Sequence, residues 1–223
     1  MDYQNIKIYH FSHDTFRLET DHKVVYLDPY NLKESQAKLA DYVLITHGHF
    51  DHLSPNDIKK IITEDTIIIA STECQEQLKG LKVKEIIYVA PAQQMELDGL
   101  KVETVPAYNL NKWRLVGVPY HPKEDGKVGY VLEFSGTRIY FAGDTDNIPE
   151  LSQLENIDLA LLPVSGTYVM TWQEAVEAIK VIKPKLVIPM HYGSVVGTRS
   201  DAENFKQAVL ADLERTSCQV EII

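Results

Sequence analysis

Tyr42-Val43-Leu44-Ile45-Thr46-His47-Gly48-His49-Phe50-Asp51-His52 is an apolar run that ends on three imidazoles and a carboxylate. A short apolar run bounded by polar residues reads as a buried strand. A strand that stops at Thr46 delivers the following side chains at its exposed end, where open α/β sheets keep their sites. Neutral imidazole and carboxylate are natural ligands of zinc and similar divalent ions. In an extended loop side chains alternate with a period of two, so His47 and His49 point the same way. Asp51 and His52 lie further along and can face a second ion. The segment holds three of the chain's 8 histidines, a density that a polar surface loop does not call for.

Outward from this loop, composition sets the frame. A chain of 223 residues, 44% hydrophobic and 24% charged, fits one globular domain spanning 1–223 with an ample core. No apolar run approaches the roughly 20 residues that a membrane-crossing helix needs. Met1-Asp2-Tyr3-Gln4-Asn5 lacks the basic start and apolar stretch of a signal peptide. The two cysteines, Cys74 and Cys218, suggest neither a disulfide framework nor a cysteine metal site. A cytoplasmic location is therefore expected. The formal net charge of -10 argues against a general nucleic-acid surface, which needs basic patches. A small anionic substrate stays open, because bound cations can outweigh nearby carboxylates. Nothing here opposes a homo-oligomer.

Alternating segments at Ile6 to Phe11, Thr15 to Glu19 and Val24 to Leu27 predict antiparallel strands. Strand and helix then alternate. Ser54-Pro55-Asn56-Asp57 carries a capping serine, a proline at the first helical position and an acid three residues after the serine. Thr72 with Gln75, Thr171 with Glu174 and Ser200 with Glu203 repeat the capping-box spacing. Pro184 and the residues around Arg215 mark the ends of the last two helices. Val128 to Phe134, Ser135-Gly136 and Thr137 to Phe141 predict a hairpin. The pattern implies two similar α/β halves, each with a mixed sheet, packed face to face with helices outside.

Further metal-type groups stand at other strand ends. Tyr140-Phe141-Ala142-Gly143-Asp144 presents a carboxylate, and Val187-Ile188-Pro189-Met190-His191 an imidazole. Alone, the carboxylate reads equally as a Gly-Asp turn and the imidazole more often as a structural or surface histidine; beside the first loop, three strand ends each offer a ligand. Asp28, in Leu27-Asp28-Pro29, could orient a ligand histidine from behind. His13 could approach from a hairpin tip.

With these residues assembled, the chain resembles the metallo-β-lactamase-fold superfamily, whose signature is His-x-His-x-Asp-His after a strand. His47, His49, Asp51 and His52 match it, Asp144 matches the later bridging aspartate, and His191 the terminal histidine. The resemblance runs from about Ile8 to Gly193. Through the His13 region, Asp28-Pro29, Gly143-Asp144-Thr145, Pro163 to Thr167 and Pro189 to Gly193, it leans toward one branch. That branch contains L-ascorbate-6-phosphate lactonase and N-acyl-phosphatidylethanolamine phospholipase D. The resemblance implies a four-layer αβ/βα sandwich with a dinuclear site. It also implies one departure: where the family supplies a third histidine to the first metal, this chain reads Val105-Pro106-Ala107-Tyr108-Asn109. Asn109 could bind through its carbonyl oxygen, His121 could fold back to fill the gap, or the first site could be weak.

The expected chemistry is hydrolysis by a metal-bound hydroxide, acting on an ester, phosphoester or lactone. His47, His49 and His121 would hold the first ion, and Asp51, His52 and His191 the second, with Asp144 bridging. Asp51 is the residue tied to catalysis. Two divalent ions are implied, zinc first, with manganese, iron or nickel as alternatives. The segment Pro106 to Lys127 reads as an irregular lid, and its Lys112, Arg114 and aromatic residues suit a small anionic substrate. Competing readings are a non-catalytic metal-binding module and a nuclease.

Overall fold

β-branched and aromatic residues alternate along the first thirty positions, and they form an antiparallel meander. A computed structural model of the chain describes residues 1–223 apart from 213, 215 and 216. The chain divides into two compact units, residues 1–90 with Ile223, and residues 91–222. The helix end expected around Arg215 lies outside the described residues.

The first unit is built on a seven-stranded sheet in sequence order. Its strands are β1 (Asp2–Tyr3), β2 (Ile6–Ser12), β3 (Thr15–Glu19), β4 (Val24–Leu27), β5 (Tyr42–Ile45), β6 (Ile67–Ser71) and β7 (Glu85–Val89). β1 to β4 pair antiparallel; β4 to β7 pair parallel. β5 and β6 are buried at every position, as central parallel strands covered on both faces must be. Helices α1 (Pro55–Ile61) and α2 (Gln75–Leu78) contribute Ile58, Ile61 and Leu78 to a core with Val43, Ile45 and Ile68. α1 starts as the sequence predicts, with Ser54 Oγ accepting the Asp57 N–H at 3.3 Å. The box expected from Thr72 does not form: Ser71 stands at the cap of a short 3-10 turn, and the Thr72 hydroxyl donates to Val89 O instead.

The second unit holds another seven-stranded mixed sheet. Its strands are β8 (Gln94–Leu97), β9 (Leu100–Pro106), β12 (Val128–Phe134), β13 (Thr137–Phe141), β14 (Leu159–Pro163), β15 (Leu186–Met190) and β16 (Gln219–Val220). A separate ribbon of β10 (Trp113–Leu115) and β11 (Val118–Pro119) lies between β9 and β12 in sequence. The sheet runs β16-β15-β14-β13-β12-β9-β8, parallel from β16 to β13 and antiparallel beyond. The predicted β12–β13 hairpin is present.

Helix α3 (Trp172–Ile182) carries the Thr171–Glu174 capping box and ends at Lys183, before Pro184. Helix α4 (Arg199–Ala211) starts two residues earlier than its predicted box, capped by Thr198 with Asp201. Here Thr198 and Ser200 compete as caps, and the Asp201 carboxylate accepts the Thr198 N–H at 2.7 Å.

Parallel pairing is what sets up the site. All parallel strands of a sheet end on one edge, so the residues just past them become neighbours. Register Leu27↔Leu44 puts Asp28 beside Thr46 in the first unit. In the second, registers Phe141↔Leu161 and Pro163↔Met190 bring the segments after β13, β14 and β15 to the same edge. No helix among the described residues is long and apolar enough to cross a membrane.

Candidate metal centre

The first unit gathers its donors on the loop after β5. His47 Nε2 and His49 Nδ1 converge to 2.9 Å, a separation that suits two ligands of one ion. The loop is pinned from outside: Gly48 N–H donates to Glu73, and Gln77 donates to Gly48 O, each at 2.8 Å. A Cβ on Gly48 would meet the Gln77 amide oxygen at 2.8 Å, so that side chain would have to shift. Further on, one ligand atom each from His13, Asp51 and His52 lies within 4.8 Å of the others. His13 Nε2 stands 3.2 Å from Asp51 Oδ2. His13 therefore sits within the donor cluster itself, held at its hairpin tip by His10, whose Nε2 donates to His13 O at 2.7 Å.

Ring orientation is set by acceptors behind the histidines. Buried Asp28 accepts Thr46 N–H at 2.8 Å, the Thr46 hydroxyl at 2.6 Å and His52 Nδ1 at 2.7 Å. His52 thus turns Nε2 away from Asp28, the arrangement by which carboxylates orient metal-binding histidines. The Thr46 hydroxyl gives its single hydrogen to Asp28, so at 3.0 Å it can only accept from His47 Nδ1. His47 then offers Nε2. Burial pushes the Asp28 carboxyl up to about 6, against the lowering effect of His52 and Thr46.

Asp14 is a residue that sequence reasoning missed. It is fully buried, and neither carboxylate oxygen has a hydrogen-bond partner among the described residues. Its Oδ2 lies 3.9 Å from His52 Nδ1. A buried carboxylate without hydrogen bonds is costly unless a cation is near, so this corner fits a metal ion. The available signal was its adjacency to His13 in Ser12-His13-Asp14.

The second unit's donors come from separate segments. Asp144, past β13, faces two imidazoles: Oδ2 is 3.3 Å from His121 Nε2 and Oδ1 is 3.2 Å from His191 Nε2. Ser165 gives its hydroxyl hydrogen to Thr167 O and accepts from His191 Nδ1 at 2.9 Å, which turns His191 Nε2 toward Asp144. Gly197 lets this hydroxyl approach, since a Cβ there would lie 2.5 Å from the Ser165 Cβ. Asn109 and His121 stand at the two feet of the β10–β11 ribbon. Asn109 N–H donates to His121 O at 2.9 Å, and His121 N–H donates to Asn109 Oδ1 at 2.9 Å. His121 Nδ1 also lies 3.0 Å from that oxygen.

Backbone strain concentrates at these positions. His13 (φ 50°), Asp28 (φ 41°) and His191 (φ 60°) occupy the left-handed region. Such conformations cost about 1–3 kcal/mol each in non-glycine residues and cluster at functional sites.

The segment expected as an irregular lid contains regular structure. Leu115 pairs with Val118 across Val116-Gly117, and Gly117 (φ 77°) supplies the positive φ that the tight turn requires. Lys112, expected to meet an anionic substrate, is instead bound to Glu174 at 2.8 Å and Asp146 at 3.3 Å. It anchors the ribbon. Arg114 is exposed on β10, among the exposed side chains of Trp113, Leu115, Val116 and Val118.

Two mixed sheets with a histidine loop at a strand end make up the metallo-β-lactamase fold, and the chain is a metal-dependent hydrolase of that superfamily. A family profile described as a beta-lactamase superfamily domain matches residues 7–191. The chain is 34% identical over 215 residues to a UPF0173 metal-dependent hydrolase of Thermoplasma acidophilum, covering 91% of this chain and 90% of that one. It is 30% identical to a UPF0173 metal-dependent hydrolase of Pelotomaculum thermopropionicum, over 98% and 96% of the two chains. The solved structure of a candidate metal-dependent hydrolase from Parabacteroides distasonis superposes with a TM-score of 0.83 at 33% identity, covering 97% and 92%. The chain belongs to the UPF0173 family of metal-dependent hydrolases.

Proposed function

We propose that the two units act as a single hydrolase domain, residues 1–223, and that their donors serve one dinuclear centre. On the pattern that the superfamily resemblance implies, His47, His49 and His121 would hold the first ion and Asp51, His52 and His191 the second, with His13 beside Asp51 and Asp144 shared between the two sets. The observation that carries this reading is the posture of Asp144. One carboxylate offers a different oxygen to each of two imidazoles whose Nε2 atoms lie 3.3 and 3.2 Å away. A carboxylate that only paired with one histidine would have no cause to be shared in this way.

Two bound divalent ions, zinc first, would supply an activated water at neutral pH and Lewis acidity at the scissile carbonyl or phosphoryl oxygen. The chain's own residues do the rest. Asp51 is the catalytic carboxylate, placed to hold and orient the attacking water. Asp28, Thr46 and Ser165 fix the ring nitrogens that face the centre. The substrate is a small ester, phosphoester or lactone, as in the branch that holds L-ascorbate-6-phosphate lactonase and N-acyl-phosphatidylethanolamine phospholipase D. Arg114 supports an anionic group on it, with the exposed apolar side chains of the ribbon against its carbon skeleton. The buried, unbridged Cys74 and Cys218 suit the reducing cytoplasm.

Metal analysis joined to a screen of lactones, phosphodiesters and phosphomonoesters tests this. The expected result is two equivalents of metal, turnover of one class, and loss of turnover on chelation. Bound metal with no turnover on any ester would instead make the protein a metal-binding module.

A further inference from the structure

We infer that Asn109 is the positioning residue that makes His121 a metal ligand, and that it is not itself a ligand. The inference rests on the dinuclear reading above for its purpose, but its geometry lies wholly within the second unit. The amide orientation follows from its neighbours. The backbone N–H of His121 can only donate, so the Asn109 side-chain atom 2.9 Å from it must be the oxygen. The other end agrees, because Asn109 Nδ2 donates to Tyr168 O at 2.7 Å. Tyr168 presents that carbonyl from a left-handed conformation, φ 70°, which a side chain of its size rarely adopts.

The oxygen then decides the histidine. An amide oxygen only accepts, so His121 Nδ1, 3.0 Å from it, carries the ring hydrogen. In the neutral ring Nε2 is left with the lone pair, and Nε2 is the atom that faces Asp144 at 3.3 Å. Both lone-pair directions of the Asn109 oxygen are taken, one by a backbone and one by a ring N–H. To bind a metal, Asn109 would have to give up two hydrogen bonds inside a buried site, where each lost partner costs about 1–3 kcal/mol.

The arrangement also explains the sequence departure. Asn109, at the position where the superfamily resemblance implies a histidine, is the orienting partner, and the imidazole lies twelve residues on, at the other foot of the ribbon. The reciprocal bonds between Asn109 and His121 close that ribbon at its base, so a neutral amide does here what Asp28 does for His52.

The test reads the tautomer directly. In metal-free wild-type protein at a pH where the rings are neutral, ¹⁵N-detected histidine spectra should show His121 with its hydrogen on Nδ1. Finding it on Nε2 would overturn the inference without any variant. Asn109→Ala should mix the tautomers and weaken metal binding about 10–100-fold, the usual effect of losing an orienting partner. Competition with a chromophoric chelator and zinc measures that change, and the number of ions bound at saturation should not fall. Asn109→Asp keeps the acceptor for His121 but turns the donor to Tyr168 into a second oxygen and adds a negative charge; it should restore the Nδ1–H tautomer even if it melts earlier. Two results overturn the proposal: Asn109→Ala with wild-type tautomer and affinity, or Asn109→Ala losing an ion that His121→Ala retains. None of these readouts needs turnover, so a failed hydrolase reading and a failed positioning role are told apart.

Discussion

The two units present metal-type groups by opposite routes. In the first, His47, His49, Asp51 and His52 are neighbours in sequence, and one strand end delivers them together. In the second, His121, Asp144 and His191 come from three segments, and only strand register and a ribbon closure make them neighbours. The orienting partners differ too. A buried carboxylate serves His52, whereas a hydroxyl serves His191 and an amide serves His121. A contiguous cluster tolerates change elsewhere in the fold, while a dispersed one depends on every element that brings its parts together.

The largest expected effect breaks the dispersed cluster at its shared member. Asp144 faces two histidines; if it serves the dinuclear centre proposed above, Asp144→Ala should remove both ions, whereas Asp51→Ala should chiefly loosen one. Both should lower turnover about 10³-fold or more, since the centre supplies several kcal/mol of transition-state stabilisation. Metal content by mass spectrometry, next to kcat, checks this. If Asp51→Ala keeps full activity, the catalytic assignment is wrong. Equal metal loss in the two variants would erase the contrast between shared and local ligands.

Next come the partners behind the ligands. Asp28→Ala removes an acceptor from Thr46 N–H, the Thr46 hydroxyl and His52, and it should weaken metal binding about 10–100-fold. Ser165→Ala removes one acceptor from His191 and should cost less. Isothermal titration with zinc orders the two, and a larger loss in Ser165→Ala would invert the comparison.

How far each unit could be read before its structure follows from the same contrast. The loop after β5 was legible because its ligands, spacing and strand all lie within one short stretch. Asn109 against His121 stayed open, because the choice depends on a ribbon whose two feet are far apart in sequence. Asp14 was missed: a lone aspartate in a hairpin turn looks like turn chemistry, and only its burial without hydrogen bonds marks it out. Caps at Thr72 and Ser200 were misplaced by a residue or two, since Ser71 and Thr198 offer the same hydroxyl chemistry next door. Lys112 looked like an anion-binding group because its partner Glu174 lies on a helix 62 residues away.

That pair gives a smaller, pH-dependent effect confined to the second unit. Burial pulls the Glu174 carboxyl upward, but hydrogen bonds from Lys112, Asn111 and the Thr171 N–H outweigh it and leave the group below its ordinary 4.5. A depressed carboxyl contributes stability above its unfolded value and loses it as pH falls through the folded one. Wild type should therefore exceed Glu174→Gln in urea stability at pH 7, and the gap should close as pH drops below 4.5. Thr171→Ala, which loses only the cap acceptor, should cost about 1 kcal/mol. A pH-independent gap would mean that Glu174 acts by packing alone.

The smallest perturbation leaves the protein unaltered and asks which unit opens first, using one native thiol in each. Cys74 is buried at the start of α2 in the first unit's core, and Cys218 is buried beside β16 in the second. Burial pushes the Cys218 thiol up to about 12, so at pH 8 almost none is thiolate and alkylation must wait for opening. Yet β16 is a two-residue edge strand, paired with β15 through Leu186↔Gln219 and Val187↔Val220. Cys74 sits among Val43, Ile45, Ile68 and Leu78, which open only with the sheet itself. Local openings at sheet edges cost far less than global unfolding, so iodoacetamide should label Cys218 first, by about tenfold or more in rate. Equal rates would mean that both thiols are exposed by one shared event, and that the two units, built by such different routes, unfold as one.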